Sequence, residues 1–354
     1  MKISKRIKKG YALALLALLA LPCISLAQAQ AAGEIDLKQE CSLTVSVEAG
    51  TAPGSSDAFL EDFNQMSIPV SVYRVADVDV TGQKFTPTGV FEELDFTVVN
   101  QNGSSVTADD WLTLAGQADK IREAENPEAD GSTVVRKEES SSFAAFGTIE
   151  GLTPGMYLVT PESSYNPDYT VEYAFTPYLT ALPGNNYTEG GTQGDDWIYD
   201  MTIGLKPDAV PQYGKLNITK ILQNYNETLG RTTFVFHITG VDKDGIVKYE
   251  EVESMTYHAA GSNTITLEKI PAGLTITVEE VYSGASYEVV GSNKETALLW
   301  SDAAIIAGAA EEASVTFENR YDGGNRGGYG VTNHFESDGA GGWIWQNPTT
   351  PAGQ

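Results

Sequence analysis

The chain reads as all-β: two β-sandwich domains in tandem, with one short helix inserted in the first. Three observations predict this. Short runs of strand-like residues recur at 43–47, 68–75, 96–99, 156–160, 201–205, 215–221, 234–239, 275–281 and 314–319. Asn-Gly, Asp-Gly, Pro-Gly and Gly-Gly pairs punctuate them as turns. The pattern breaks at two prolines near 207–213 and then restarts, which places a domain boundary there.

Residues 1–32 read as a secretory leader. Lys2, Lys5, Arg6, Lys8 and Lys9 precede an apolar run over 11–26 and a small-residue stretch at 27–32. Without those five cations, 17 Lys and Arg face 48 Asp and Glu, a formal charge of about −31. Such a chain repels nucleic acid and anionic membranes, so neither is expected as a partner. No second apolar span follows, so the mature chain is expected to be extracytoplasmic and not integral to a membrane. Cys41 is the only cysteine beyond the leader, which rules out an internal disulfide.

Residues 33–207 form the first expected domain. Within it, Trp111, Leu114, Ala115, Ala118 and Ile121 recur at helical spacing over 109–125, with Asp109 or Asp110 as cap. The polar, acidic stretch 126–142 has no periodicity and reads as a surface loop. Residues 213–321 form the second expected domain. The two halves repeat one plan: Ser42-Leu-Thr-Val-Ser-Val47 parallels Leu216-Asn-Ile-Thr-Lys220, and Leu152-Thr-Pro-Gly155 parallels Ile270-Pro-Ala-Gly273. Residues 322–354 are a Gly-rich tail with a strand around Trp343 and Trp345.

Three strands of the second domain each carry a reactive group on the apolar face. Lys220 shares parity with Leu216 and Ile218, Glu280 with Ile276 and Val278, and Asn319 with Val315 and Phe317. Burying an ammonium or carboxylate is costly unless it is paired, neutralised or consumed. Burial lowers the pKa of Lys and raises that of Glu. A neutral amine is a nucleophile, and a protonated carboxyl polarises the Asn carbonyl and shuttles protons. Two readings fit the parity. One is a buried Lys–Glu salt bridge with Asn as hydrogen-bonding neighbour. The other is attack of Lys220 on Asn319 with loss of ammonia, an isopeptide bond with Glu280 as acid and base. In the first domain Val47 stands where Lys220 does and Glu162 falls off the register of Glu280, so no cross-link of this kind is expected there.

The runs Gly214-Lys-Leu-Asn-Ile-Thr-Lys220, Ile270-Pro-Ala-Gly-Leu-Thr-Ile-Thr-Val-Glu-Glu280 and Val315-Thr-Phe-Glu-Asn319 resemble the Cna-B domain of Gram-positive surface proteins. The resemblance covers about 213–321. It implies an Ig-like sandwich with Lys220 as nucleophile, Glu280 as acid/base and Asn319 as acceptor; Ile276 replaces the family's usual aromatic. In the first domain Gly155-Met-Tyr-Leu-Val159, residues 175–183 and Trp197-Ile-Tyr-Asp-Met-Thr-Ile-Gly-Leu-Lys206 resemble the N-terminal domain of SpaA-like, sortase-assembled pilins. That likeness puts the polymerisation acceptor on Lys206, although Leu205 and Pro207 replace the family's flanking Pro and Asn. It implies other pilin subunits and a sortase as partners, at the cell surface, in a pilus or on the cell wall. No LPxTG-like ending follows; 347–350 (Asn-Pro-Thr-Thr) only loosely matches an alternative sorting signal.

No metal or cofactor is expected. His237, His258 and His334 lie at no ligand spacing, and Asp242-Lys-Asp-Gly245 reads as a hairpin turn. Nothing selects a nucleophilic triad or a glycosidase pair of carboxylates. The chain is therefore expected not to be an enzyme beyond its own cross-linking. The leading expectation is a pilin-like structural subunit or adhesin. The alternatives are a secreted carbohydrate- or host-binding module without polymerisation, using Trp343 and Trp345, and a β-sandwich enzyme.

Overall fold

The computed structural model describes residues 33–47, 61–63, 65–102, 106–137, 145–185, 197–205, 207–324, 334–337 and 343–346. The leader over 1–32, Lys206 and the segment 347–350 lie outside the described residues. The chain is all-β, and among the described residues a few helices lie between strands.

The first half contributes β1 (Cys41–Val47), β2 (Ser67–Val78), β3 (Phe85–Pro87), β4 (Gly131–Arg136), β5 (Ala145–Leu152) and β6 (Gly155–Pro161). It continues with β7 (Ser164–Tyr165), β8 (Val171–Phe175), β9 (Tyr178–Leu182), β10 (Gly184–Asn185), β11 (Trp197–Ile198), β12 (Asp200–Gly204) and β13 (Pro207–Pro211). One sheet runs β12-β1-β5-β4-β2-β6-β9, with β3 on β2. One core cluster includes Leu43, Val45, Ile68, Val72, Tyr157 and Val159. Helix α1 (Thr97–Asn102) and helix α2 (Ala108–Glu125) belong to this half, and a second cluster uses Leu114, Ala115 and Ala118 of α2 against Met156, Leu158 and Leu179. Strand β6 is therefore buried on both faces, which is why Gly-Met-Tyr-Leu-Val reads as a continuous apolar run.

The expected helix is present, with its N-cap two to three residues before the proposed caps. Thr107 is the N-cap: its hydroxyl accepts from Asp110 N–H at 3.2 Å, and the Asp110 carboxylate accepts from Thr107 N–H at 2.9 Å. Two other expectations are corrected. Residues 96–99 open a helix instead of a strand, because Asp95 accepts from Thr97 N–H at 2.8 Å and Phe96 and Val99, three apart, bury in one cluster. The expected loop 126–142 contains β4, which pairs with β2 and touches β5. Only Val135 of that strand is buried, so no alternation marks it in the sequence. At the expected boundary near 207–213, Pro207 and Pro211 are the end residues of β13, an edge strand on β8, where a missing N–H is tolerated.

The second half contributes β14 (Tyr213–Leu222), β15 (Thr232–Val241), β16 (Val247–Tyr257), β17 (Gly261–Pro271) and β18 (Thr275–Tyr282). It closes with β19 (Tyr287–Val290), β20 (Lys294–Leu298), helix α3 (Asp302–Ile306) and β21 (Ala313–Tyr321). Two four-stranded sheets, β17-β14-β21-β19 and β16-β15-β18-β20, face each other. Strict alternation drives this: every second residue of β14 and of β15 is buried. The core includes Leu216, Ile218, Phe234, Phe236, Ile276 and Phe317. In each half the first strand lies parallel beside a late one, β14 on β21 here and β1 on β12 in the first half. Between the halves, Gln212 N–H donates to Thr170 O at 2.9 Å while its carbonyl accepts from Ala272 N–H at 3.0 Å. In the tail, β22 (His334–Ser337) and β23 (Trp343–Gln346) form an antiparallel hairpin that puts Phe335 opposite Trp345.

Candidate functional site

The three core-facing residues of the second sandwich meet. Lys220 stands on β14, and Asn319 lies on the neighbouring β21, where it pairs in register with Leu222. Glu280 reaches them from β18 in the facing sheet. Lys220 and Asn319 are 0% exposed and Glu280 is 4% exposed, so the group is dry. The Lys220 amine lies 2.5 Å from Asn319 Oδ1, and 3.0 Å and 3.1 Å from Glu280 Oε1 and Oε2. Asn319 Nδ2 donates to Glu280 Oε1 at 2.9 Å and to the Ser283 carbonyl at 3.2 Å. Below the amine, the Phe234 ring centroid is 4.6 Å away.

Burial pushes the Lys220 pKa down, against the opposing pull of Glu280. Burial likewise pushes the Glu280 carboxyl up, against Lys220 and Asn319. Both directions favour an uncharged amine beside an uncharged acid. Glu280 Oε1 touches both the amine nitrogen and the amide nitrogen. The sequence reading had Glu280 polarising the Asn carbonyl. In the structure its contact is with the amide nitrogen, which suits a proton relay from one nitrogen to the other. Glu279, one residue earlier, lies on the outer face with Lys294 3.4 Å away.

The sequence alone does not mark Phe234, Tyr257 or Ser283. Phe234 and Tyr257 share the core parity of their strands, but parity alone does not separate them from other core aromatics. Ser283 acts through its carbonyl, which carries no residue-type signal.

The other sequence expectations fall in varied places. Val47 is buried in an apolar core and Glu162 is exposed, as the comparison of the two halves implies. The Asp242 turn is a hairpin in which its carboxylate accepts from Asp244 and Ile246 N–H, joining β15 to β16. Cys41 is a buried free thiol pushed up to about 11, by burial first and Asp200 second. His237 lies against Glu250 at 2.9 Å. Among the described residues no group of His, Cys, Asp and Glu is arranged to hold a metal ion, and no helix is long and apolar enough to cross a membrane.

Residues 216–322, which contain all three site residues, match a domain of unknown function (DUF5979). No curated protein matches the chain. Among solved structures, the basal pilin SpaE of Lactobacillus rhamnosus GG is similar at 12% identity, covering 79% of this chain and 99% of that one, with a TM-score of 0.30. The major pilin SpaD of Corynebacterium diphtheriae is similar at 11% identity over 82% of this chain and 99% of that one, with a TM-score of 0.25. The Bacillus anthracis TIE protein is similar at 10% identity and a TM-score of 0.30; the likeness covers 80% of this chain and only 34% of the TIE chain.

Proposed function

We propose that this protein is a structural, pilin-like subunit or surface adhesin of a Gram-positive bacterium, stapled by an isopeptide bond between Lys220 and Asn319. The observation that carries the reading is the position of Glu280 Oε1, within 3.0 Å of the attacking nitrogen and 2.9 Å of the leaving nitrogen. The neutral Lys220 amine bonds to the Asn319 side-chain carbonyl carbon. Glu280 takes a proton from that nitrogen and delivers one to Nδ2, the carbon–Nδ2 bond breaks, and ammonia leaves. The folded sandwich supplies the proximity, so no external enzyme, metal or cofactor takes part. A permanent buried salt bridge is the weaker reading, because both groups are driven toward their neutral forms.

Intact-mass measurement of the secreted chain tests the bond. The folded wild type is expected to lack one ammonia and to yield a linked Lys220–Asn319 peptide after digestion. Glu280→Ala is expected to restore the full mass, whereas Glu279→Ala keeps the deficit, since Glu279 faces outward. A wild type of full mass sinks the cross-link.

Display outside the cell rests on the leader reading of 1–32 and on the acidic mature chain. Assembly rests on the pilin-like wording that ends at Lys206, whose amine would attack a sortase-bound acyl group on another subunit. A Lys206→Arg variant keeps the charge and removes the competent amine. Expressed with the native sortase, it is expected to fold normally and to lose the covalent high-mass ladders in boiled wall extracts. Unchanged ladders would exclude Lys206 as acceptor. Wild type without ladders would favour a secreted carbohydrate- or host-binding module.

A further inference from the structure

Lys220 is held at its main chain as well as at its amine. Its backbone carbonyl accepts a hydrogen bond from the Tyr257 hydroxyl, and that same hydroxyl accepts from Asn263 N–H at 3.1 Å. Asn263 is the residue opposite Lys220 in the pairing of β14 with β17. Tyr257 belongs to neither strand: it ends β16, the edge of the facing sheet, and is 3% exposed. A phenol from one sheet therefore bridges the other sheet at the very step that carries the amine. Its ring also packs edge-on against Phe234, with centroids 5.6 Å apart at 84°, and Phe234 is the ring beneath the Lys220 amine.

We infer that Tyr257 is a positioning residue for the cross-linking step, a role that rests on the isopeptide reading above. The hydroxyl fixes where Lys220 sits along and across the sheet, and the ring fixes the floor on which its side chain lies. Tyr257 touches none of the reacting atoms, so the step itself is unchanged. The Nζ–carbon bond forms, the carbon–Nδ2 bond breaks, and Glu280 moves one proton between the nitrogens. What changes without the hydroxyl is registry. A buried carbonyl that loses its donor is left unsatisfied, a cost that a shift of the strand would relieve, and a misplacement of about 1 Å at a reacting centre costs on the order of 100-fold in rate.

The test uses the full mature chain, refolded from denaturant before the bond has formed, with samples quenched over time and weighed intact. Folding is followed in parallel by circular dichroism. Tyr257→Phe keeps the ring and removes the hydroxyl. It is expected to fold on the wild-type time course and to lose ammonia at least ~10-fold more slowly, with the pH dependence of the rate unmoved because Glu280 still carries the proton. Replacing Tyr257 with 4-aminophenylalanine restores a donor at the same place and is expected to recover most of the rate. The equally bulky 4-methylphenylalanine is not, and this pair decides the matter if Tyr257→Phe fails to fold. A wild type that links while Tyr257→Phe links equally fast overturns the positioning role alone. A wild type that never loses ammonia overturns the cross-link and the positioning role with it.

Discussion

At the scale of single residues, the second sandwich holds two sets of inward-facing acids with opposite consequences. Glu280 has an amine to serve. Glu251 and Glu253 do not; they sit two apart on the inner face of the edge strand β16, hydrogen-bonded to each other, with the Tyr249 hydroxyl donating to Glu251. A carboxyl beside a like charge is harder to ionise. Burial, and then the Glu251 charge, hold the Glu253 carboxyl above the ordinary range. Its folded pKa exceeds its unfolded one, so the unfolded chain binds fewer protons between the two values. The sandwich is therefore expected to lose stability as pH rises from about 4 toward neutrality. Glu253→Gln, which has no proton to lose, is expected to flatten the pH dependence of the urea midpoint over that range. An unchanged slope would show that Glu253 does not carry this dependence. Inward charges on an edge strand also discourage pairing with a second chain.

At the scale of elements, local chemistry places the ends and neighbours decide the rest. The Thr107–Asp110 box starts α2, and Thr107→Ala is expected to cost about 1 kcal/mol, read as a lower urea midpoint with an unchanged slope. Strand β14 has a different constraint. A Cβ at Gly214 would sit 1.9 Å from the Trp300 carbonyl oxygen, a backbone atom that cannot swing aside. Gly214→Ala is therefore expected to lower the thermal midpoint of the second half, although its position in the strand gives Ala a better intrinsic propensity than Gly. A rise in midpoint would mean that the preceding turn relaxes more readily than this geometry implies.

At the scale of the whole molecule, the proposed bond would join the first and last strands of the second sandwich across a loop of about 100 residues. By the chain-entropy argument used for disulfides, closing such a loop stabilises by roughly 4–5 kcal/mol. Glu280→Gln preserves size and most hydrogen bonding but cannot relay the proton. Its thermal midpoint is expected to fall far below that of the linked wild type, with the two halves unfolding as separate transitions. Equal midpoints would mean that the staple adds nothing to the folded state. In the first half Val47 occupies the place that corresponds to Lys220, within an apolar core.

The convergence of Lys220, Glu280 and Asn319 was legible in the chain because strand parity is strictly local: alternate residues share a face wherever the strand ends up. For the same reason the alternating strands of the second half and the helical spacing around Leu114 were readable. Segment 96–99 looked like a strand because its apolar residues suit either period, and the cluster beneath it selected the helix. Strand β4 was invisible because pairing with β2, and not its own hydrophobicity, makes it a strand. The bridge from Tyr257 to Lys220 joins residues 37 apart, and the contact between Glu280 and Asn319 spans 39. Parity says which way a side chain points, but only the packing of two sheets says what it meets.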